Sequence, residues 1–136
     1  MCAVGIRKRR KDIWMFIRDI GTRDEIIAGD NTLLKELLNP LRDNLDLRYS
    51  LAVARVQQGG ETYLHRLKNS EVYFFLKGAG EMHIDDDTAV VGAGQVVYVP
   101  PGAKQCVKNV GNEELIFACI VDPAWREEDE EILVSS

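Results

Sequence analysis

The sequence predicts an all-β domain in which short antiparallel strands form a sandwich or a barrel. From residue 49 to residue 123, runs of strand-forming residues alternate with turns rich in Gly, Asn, Asp and Pro. No credible crossover helix separates these runs, which disfavours a parallel sheet. A chain of 136 residues is long enough for one such domain with a substantial core and too short for two ordinary ones.

The first 48 residues are predicted to form a tail and an arm attached to this domain. Residues 1–12 are basic and polar and are expected to be a solvated tail. Residues 13–20, IWMFIRDI, are rich in strand formers and predict an edge strand or an arm. The GDNT sequence at 29–32 predicts a turn, and the leucine-rich segment 33–40 fits either one helical turn or a strand.

Residues 49–123 contain the predicted strands of the domain, and an acidic tail follows at 124–136. The strands are predicted at 49–56, 62–67, 71–78, 80–86, 88–92, 95–100, 104–109 and 114–123. This regular, close spacing is typical of antiparallel sandwiches and barrels. The charge run after Trp125 is expected to form a short exposed helix, because such runs usually face solvent.

Composition and charge argue against several classes of function. The net charge of -5 gives no overall attraction to nucleic acid or to an anionic membrane. No apolar run is long enough to span a bilayer, and the basic start does not fit a secretory signal because Asp12 interrupts it. The three cysteines, Cys2, Cys106 and Cys119, show no paired spacing, which predicts free thiols in a reducing cytoplasm.

Two segments carry the residues that are best suited to chemistry. The segment 59–78 contains His65 and Glu71, two residue types that bind metal ions or transfer protons. The segment 94–109 has the same strand, turn and strand pattern and supplies Gln105. Because side chains alternate across a strand, each of these three residues shares a face with apolar neighbours that can point inward. The pattern allows the three faces to meet inside one barrel but does not require it.

At these residues the sequence resembles the cupin superfamily, the RmlC-like jelly-roll proteins. The first cupin motif, G-x5-H-x-H-x3-4-E-x6-G, is matched at Gly59, His65, Glu71 and Gly78, with Leu67 in place of the second histidine. The second motif, G-x5-P-x-G-x2-H-x3-N, is matched at Gly94, Pro100, Gly102 and Asn109, with Gln105 in place of the histidine. The resemblance covers residues 50–121, and the short segment between the motifs is similar to that of compact, mannose-6-phosphate-isomerase-like cupins.

The resemblance implies an antiparallel double-stranded β-helix, the jelly-roll barrel, with a short N-terminal arm and a pocket at one mouth. It also implies a divalent metal (Zn, Fe, Mn or Ni) held by His65, Glu71 and Gln105, which occupy ligand positions of the family. Leu67 stands at the remaining ligand position and cannot coordinate a metal. An amide oxygen is a weaker ligand than an imidazole, so the expected affinity is lower than that of a full histidine-rich site.

His65 and Glu71 are also the predicted catalytic residues. An imidazole and a carboxylate that share a pocket could act as general acid and base with or without a metal. They could equally form an inert structural pair in which each satisfies the other. The residues expected to line the ligand pocket are Tyr63, Leu67, Tyr73, Phe75 and Tyr98.

Two functions stay open on the sequence alone. The first is a metal-dependent enzyme that acts on a small polar or anionic metabolite by isomerase, lyase or dioxygenase chemistry. The second is a metal-free cupin that binds or senses a small ligand without turnover. A homodimer is expected in either case, because pairing covers exposed strand edges and residues 13–20 could serve as an exchanged arm.

Overall fold

The computed structural model describes residues 15–134, and these residues form two antiparallel β-sheets packed face to face. Within the described residues the strands are β1 (Ile26–Ile27), β2 (Leu33–Leu38), β3 (Ser50–Val56), β4 (Leu64–Leu67), β5 (Ser70–Lys77), β6 (Ala79–Ile84), β7 (Asp87–Gly92), β8 (Val96–Val99), β9 (Gln105–Asn109), β10 (Leu115–Asp122) and β11 (Glu130–Val134). Two short 3-10 helices, Ile20–Thr22 and Glu127–Asp129, precede β1 and β11. No helix in the described part of the chain is long and apolar enough to cross a membrane.

The order of the strands confirms the predicted jelly-roll fold. One sheet has the order β1-β2-β3-β10-β5-β8, and the other has the order β11-β4-β9-β6-β7. Consecutive strands repeatedly cross from one sheet to the other, as in a double-stranded β-helix. The two sheets remain separate, so the architecture is a sandwich-like jelly roll rather than a single closed barrel.

Aromatic side chains fill one half of the space between the sheets. Phe117 on β10 packs against Tyr73 and Phe75 on β5, with ring centroids 4.9 Å and 5.4 Å apart. All three rings are buried. In the other half, the inward positions of β3 carry only the small side chains of Ser50 and Ala54 and the partly buried Ala52. These small residues leave room for a cavity between the sheets.

The two ends of the described chain differ from the sequence predictions. Residues 15–19 form no strand and lead into the 3-10 helix at Ile20–Thr22, so the predicted edge strand at 13–20 is not present there. Residues 13–14 and the predicted tail at 1–12 lie outside the described residues. The ambiguous leucine-rich segment is a strand, β2, whose backbone pairs with β3 and whose Leu34 and Glu36 face the cavity.

The acidic C-terminal segment is a strand rather than the expected exposed helix. After the 3-10 helix at Glu127–Asp129, the chain pairs with the open edge of β4, with Ile132 opposite His65. The edge of β4 offers unpaired backbone groups, and pairing with them outweighs the preference of a charged run for solvent. This strand brings Glu130 to the interior of the molecule.

Candidate metal centre and cavity

A cavity of about 580 Å³ lies between the sheets at the end where β1, β2 and β3 face β4 and β11. Its apolar wall is formed by side chains from four strands, Leu34, Ala52, Ala54, Leu67, Phe117 and Val121. Its polar wall contains His65, Glu71, Asp30 and Glu130. A concave, mostly apolar space with a few convergent polar groups is the usual form of a small-molecule site.

His65 is the most deeply buried polar group of this wall, with 1% of its surface exposed. Its Nδ1 lies 2.7 Å from the main-chain carbonyl oxygen of Tyr63. A carbonyl only accepts hydrogen bonds, so Nδ1 carries a hydrogen, and in the neutral form of the ring the lone pair is on Nε2. Nε2 lies 3.7 Å from Oδ2 of Asp30, which is longer than a hydrogen bond. Within the described chain, Nε2 therefore points at a carboxylate without a close partner.

Asp30 is presented to His65 by the turn between β1 and β2. Its Oδ1 accepts hydrogen bonds from the main-chain N–H and the hydroxyl of Thr32, at 3.1 Å and 2.8 Å. Its main-chain carbonyl accepts from the N–H of Tyr63 at 2.9 Å, which ties the turn to the strand that carries His65. The next residue, Asn31, has a φ of 76°, a left-handed conformation that asparagine tolerates better than most residues. These contacts leave Oδ2 directed at His65.

Glu130 is the first residue of β11 and reaches the same point from the other sheet. Ligand atoms of Asp30, His65 and Glu130 all lie within 4.8 Å of one another. Burial, and then the negative charge of Asp30, raises the pKa of Glu130 above its usual value. One imidazole and two carboxylates at this spacing are a set that can hold a divalent metal ion.

Glu71 lies beside this group in a network of buried hydrogen bonds. The side-chain Nε2 of Gln105 donates to Oε1 of Glu71 at 3.0 Å, and the hydroxyl of Tyr73 donates to the amide oxygen of Gln105. Cys119, on the neighbouring strand, is buried next to the same carboxyl group. Burial, reinforced by the negative charge of Asp30, raises the pKa of Glu71 to about 8. Glu71 therefore holds a proton at neutral pH.

The structure brings the three predicted polar residues together, but with different contacts from those expected. His65 and Gln105 are register partners on neighbouring strands, and Gln105 touches Glu71 directly. His65 contacts Asp30 and Tyr63 rather than pairing with Glu71. Gln105 does not line the cavity. Both polar atoms of its amide are hydrogen-bonded, the oxygen to Tyr73 and the nitrogen to Glu71. Its contacts favour a role in positioning Glu71.

The residues predicted to line the ligand pocket are spread over different surroundings. Leu67 lines the cavity, and Tyr63 reaches the site through its main chain. Tyr73 and Phe75 belong to the packed core and are not part of the cavity wall. Tyr98 is placed on the outer face of its sheet, with 59% of its surface exposed, because β8 turns Val97 and Val99 inward instead.

Sequence reasoning missed Asp30 and Glu130, the two carboxylates nearest to His65. Asp30 was recognised only as part of a turn, and Glu130 only as part of a charge run. Each is separated from His65 by a long stretch of sequence, and no local pattern links them. The signals in the sequence are an aspartate in a Gly-Asp-Asn-Thr turn and a short apolar run, Ile-Leu-Val, after the acidic residues.

Comparisons with known proteins agree with the fold. The cupin domain family matches residues 52–121. An uncharacterized protein of Methanocaldococcus jannaschii is 36% identical over 110 residues, which cover 79% of this chain and 86% of that protein. Asp30 and Glu130 both lie outside the matched family segment, whereas His65 and Glu71 lie inside it.

Solved structures that share this fold match the chain at lower sequence identity. A cupin 2 conserved barrel domain protein from Salinispora arenicola superposes with a TM-score of 0.69 and 21% identity, over 84% of this chain and 91% of that one. The S161A mutant of Bacillus subtilis oxalate decarboxylase superposes with a TM-score of 0.72 and 21% identity, over 84% of this chain but only 31% of that larger chain. The strand order, the two motif segments and these matches together show that the chain belongs to the cupin domain family.

Proposed function

We propose that this cupin holds a divalent metal ion, Zn, Fe, Mn or Ni, through Nε2 of His65 and the carboxylates of Asp30 and Glu130. We further propose that a small polar or anionic metabolite binds in the adjoining cavity and reacts there. The observation that carries the proposal is the convergence, within 4.8 Å, of two carboxylates on a buried imidazole nitrogen.

Asp30 and Glu130 fit a metal better than Leu67 and Gln105, which stand at two of the family's usual ligand positions. Leu67 offers only hydrocarbon, and the amide of Gln105 is already engaged by Tyr73 and Glu71. By contrast, His65 donates its Nδ1 hydrogen to a main-chain carbonyl, the arrangement by which metal-binding histidines are commonly oriented. The negative charges of Asp30 and Glu130 have no lysine or arginine ion-pair partner within the described residues, so a divalent cation would offset them.

The chemistry that this arrangement supports best is proton transfer on a bound oxygen-containing ligand. A divalent ion, when bound, supplies Lewis-acid polarisation of such an oxygen. Glu71 lines the same cavity, and burial raises its pKa to about 8 in the metal-free protein, so it can act as a general acid when protonated and as a general base once ionised. Gln105 fixes its Oε1 as a hydrogen-bond acceptor, which leaves Oε2 as the oxygen that carries the proton.

This division of roles supports isomerase or lyase chemistry. The Bacillus subtilis fold neighbour is an oxalate decarboxylase by name, which makes decarboxylation one of the reactions to assay.

The proposal that the ligand is anionic is supported by Arg23, which lines the cavity and donates from Nε to the main-chain carbonyl of Glu36 at 2.9 Å. Arg23 forms no ion pair with the described residues, so its guanidinium is available to a carboxylate or phosphate group.

Metal analysis of two histidine variants tests the proposal. The chain contains two histidines, and His83 is a surface residue that pairs with Glu81 and Thr88. We expect stoichiometric metal in the reconstituted parent and in His83→Ala, and a loss of affinity of at least about 10–100-fold in His65→Ala. Parent protein that takes up no metal after reconstitution would contradict the proposal and favour the alternative, a metal-free cupin that binds or senses a small ligand.

We also propose that the protein is a cytoplasmic homodimer. The two cysteines in the described residues, Cys106 and Cys119, are unpaired, which supports a reducing compartment. The outer face of the six-stranded sheet exposes apolar side chains on the three neighbouring strands β10, β5 and β8. Apolar patches of this kind usually mark an interface, and a second copy is the simplest partner.

A further inference from the structure

We propose that a divalent cation at His65 holds the turn at residues 28–32 against strand β11, so that metal loading controls how firmly these two cavity-lining segments are joined. This inference rests on the metal site proposed above. It assigns a conformational role to two segments that lie outside the matched cupin domain segment, residues 52–121.

Both segments line the cavity, and they belong to different sheets. The turn at 28–32 joins β1 to β2, and β1 is the edge strand of the six-stranded sheet with only two residue pairs to β2. Strand β11 is the edge strand of the five-stranded sheet, and among residues 15–134 its partner is β4 alone. Edge elements with few neighbours open more readily than the central strands of a sheet.

The contact between the turn and β11 includes two carboxylates, beside an apolar contact of Ile132 with Gly29. Oxygen atoms of Asp30 and Glu130 lie within 4.8 Å of each other, and like charges at this separation repel. The backbone of Gly29 lies close against the same carboxylate, because a Cβ added there would be 3.0 Å from Oε1 of Glu130. A cation bound between the two carboxylates would replace this repulsion with attraction between the turn and β11.

The start of β11 has a separate anchor that does not depend on the metal. The main-chain N–H of Lys68 donates to the carbonyl of Asp129 at 3.0 Å, and Asn69 and Arg126 hold the carboxylate of Asp129. Loss of the cation should therefore loosen the strand from Glu130 onward and the turn at 28–32, without unfolding the domain. The effect is predicted to be local.

Hydrogen–deuterium exchange on chelated and metal-loaded protein tests this inference, with Zn²⁺ and Mn²⁺ as probes. Metal binding is measured by calorimetry on the same samples. At free metal about 100-fold above Kd, openings that break the site should become up to roughly 100-fold rarer. We therefore expect slower exchange in peptides covering 28–32 and 130–134, and unchanged exchange in the β6–β7 hairpin, which lies at the opposite edge of its sheet.

Two variants on β11 separate this effect from other effects of the metal. Glu130→Gln removes the ligand and should abolish the metal-dependent protection of both segments. Glu131→Gln alters the next residue, which pairs with Arg66 on the surface, and should keep that protection. Metal that binds stoichiometrically without protecting either segment would overturn the metal-dependent joining of the two segments and leave the metal site standing. Parent protein that binds neither metal would overturn both.

Discussion

Glu71 is the residue whose chemistry depends most on its surroundings. It is buried among Gln105, Cys119 and the negative charge of Asp30, and its pKa is raised from an ordinary value of 4.5 to about 8. Between these values the folded protein binds more protons at this site than the unfolded chain does. The contribution of Glu71 to the free energy of unfolding therefore falls as the pH rises from 4.5 to 8.

Replacing Glu71 with glutamine is predicted to remove this loss of stability. In metal-free protein, the parent should lose roughly 2 kcal/mol more than Glu71→Gln between pH 6 and pH 9, because glutamine has no charge to bury. Thermal or urea unfolding at both pH values measures the difference. As a control, Glu113→Gln removes an exposed carboxylate and should follow the parent. Parallel pH profiles for the parent and Glu71→Gln would show that Glu71 is ionised in the folded protein at pH 6.

Alternation along strands allowed three polar side chains to point inward without requiring it, and the structure places all three inside. His65, Glu71 and Gln105 are all buried, as the spacing of their apolar neighbours allowed. The two carboxylates nearest to His65, those of Asp30 and Glu130, could not be predicted in the same way. Asp30 reaches His65 through a turn and Glu130 through a terminal strand, and both placements depend on which sheet edges meet in space.

Among the elements, the turn from β5 to β6 has the tightest backbone requirement. Gly78 has a φ of 87°, and a Cβ there would lie 2.5 Å from the carbonyl oxygen of Glu114. Main-chain atoms of a neighbouring strand cannot move aside as the end of a side chain can. By comparison, Gly94 has a φ of 90° but open space around it. The two motif glycines therefore have the same backbone conformation and different packing.

Alanine substitution at these two glycines is predicted to have unequal effects. Gly94→Ala should cost about 1–2 kcal/mol, the strain of a left-handed conformation. Gly78→Ala should cost more than about 3 kcal/mol, since steric overlap with the backbone adds to that strain. Urea unfolding of the two variants and the parent checks the order. Equal costs would mean that the turn after β5 can relax to admit a methyl group.

Element types were predictable where hydrophobic periodicity was strong, and unpredictable where charge dominated. The strands from β3 to β10 follow the predicted segments closely, because their inward residues alternate with outward ones. Strand β11 was expected to be an exposed helix, since its acidic residues suggested a solvated face. Its backbone is satisfied by the edge of β4, a tertiary partner that its own sequence does not reveal.

At the scale of the whole molecule, the outer face of the six-stranded sheet is the surface best suited to self-association. The register aligns Ile120, Val72 and Tyr98 across three neighbouring strands, with Phe74 and Val96 in the adjoining row. Four of these five side chains are exposed, the exception being the partly buried Val72. The cavity lies on the opposite side of the sheet, so a dimer formed here would leave the cavity mouth accessible.

A charge placed in this patch is predicted to split the dimer. Phe74→Asp buries a carboxylate in an apolar contact and should weaken association by more than about 2 kcal/mol. Light scattering after size exclusion should then give half the mass of the parent. Val90→Asp, an exposed position on the other sheet, is the matched control and should remain dimeric. A parent that is monomeric at micromolar concentration would contradict the proposed homodimer.

Metal titration of Glu130→Gln and Gln105→Leu tests the central claim most directly, because these variants remove one member of each competing ligand set. Calorimetry with Zn²⁺ and Mn²⁺, on samples whose folding is checked by circular dichroism, gives the two affinities. If His65, Asp30 and Glu130 hold the metal, Glu130→Gln weakens binding by about 10–100-fold and Gln105→Leu leaves it close to that of the parent. Full affinity in Glu130→Gln together with a loss in Gln105→Leu would contradict the account.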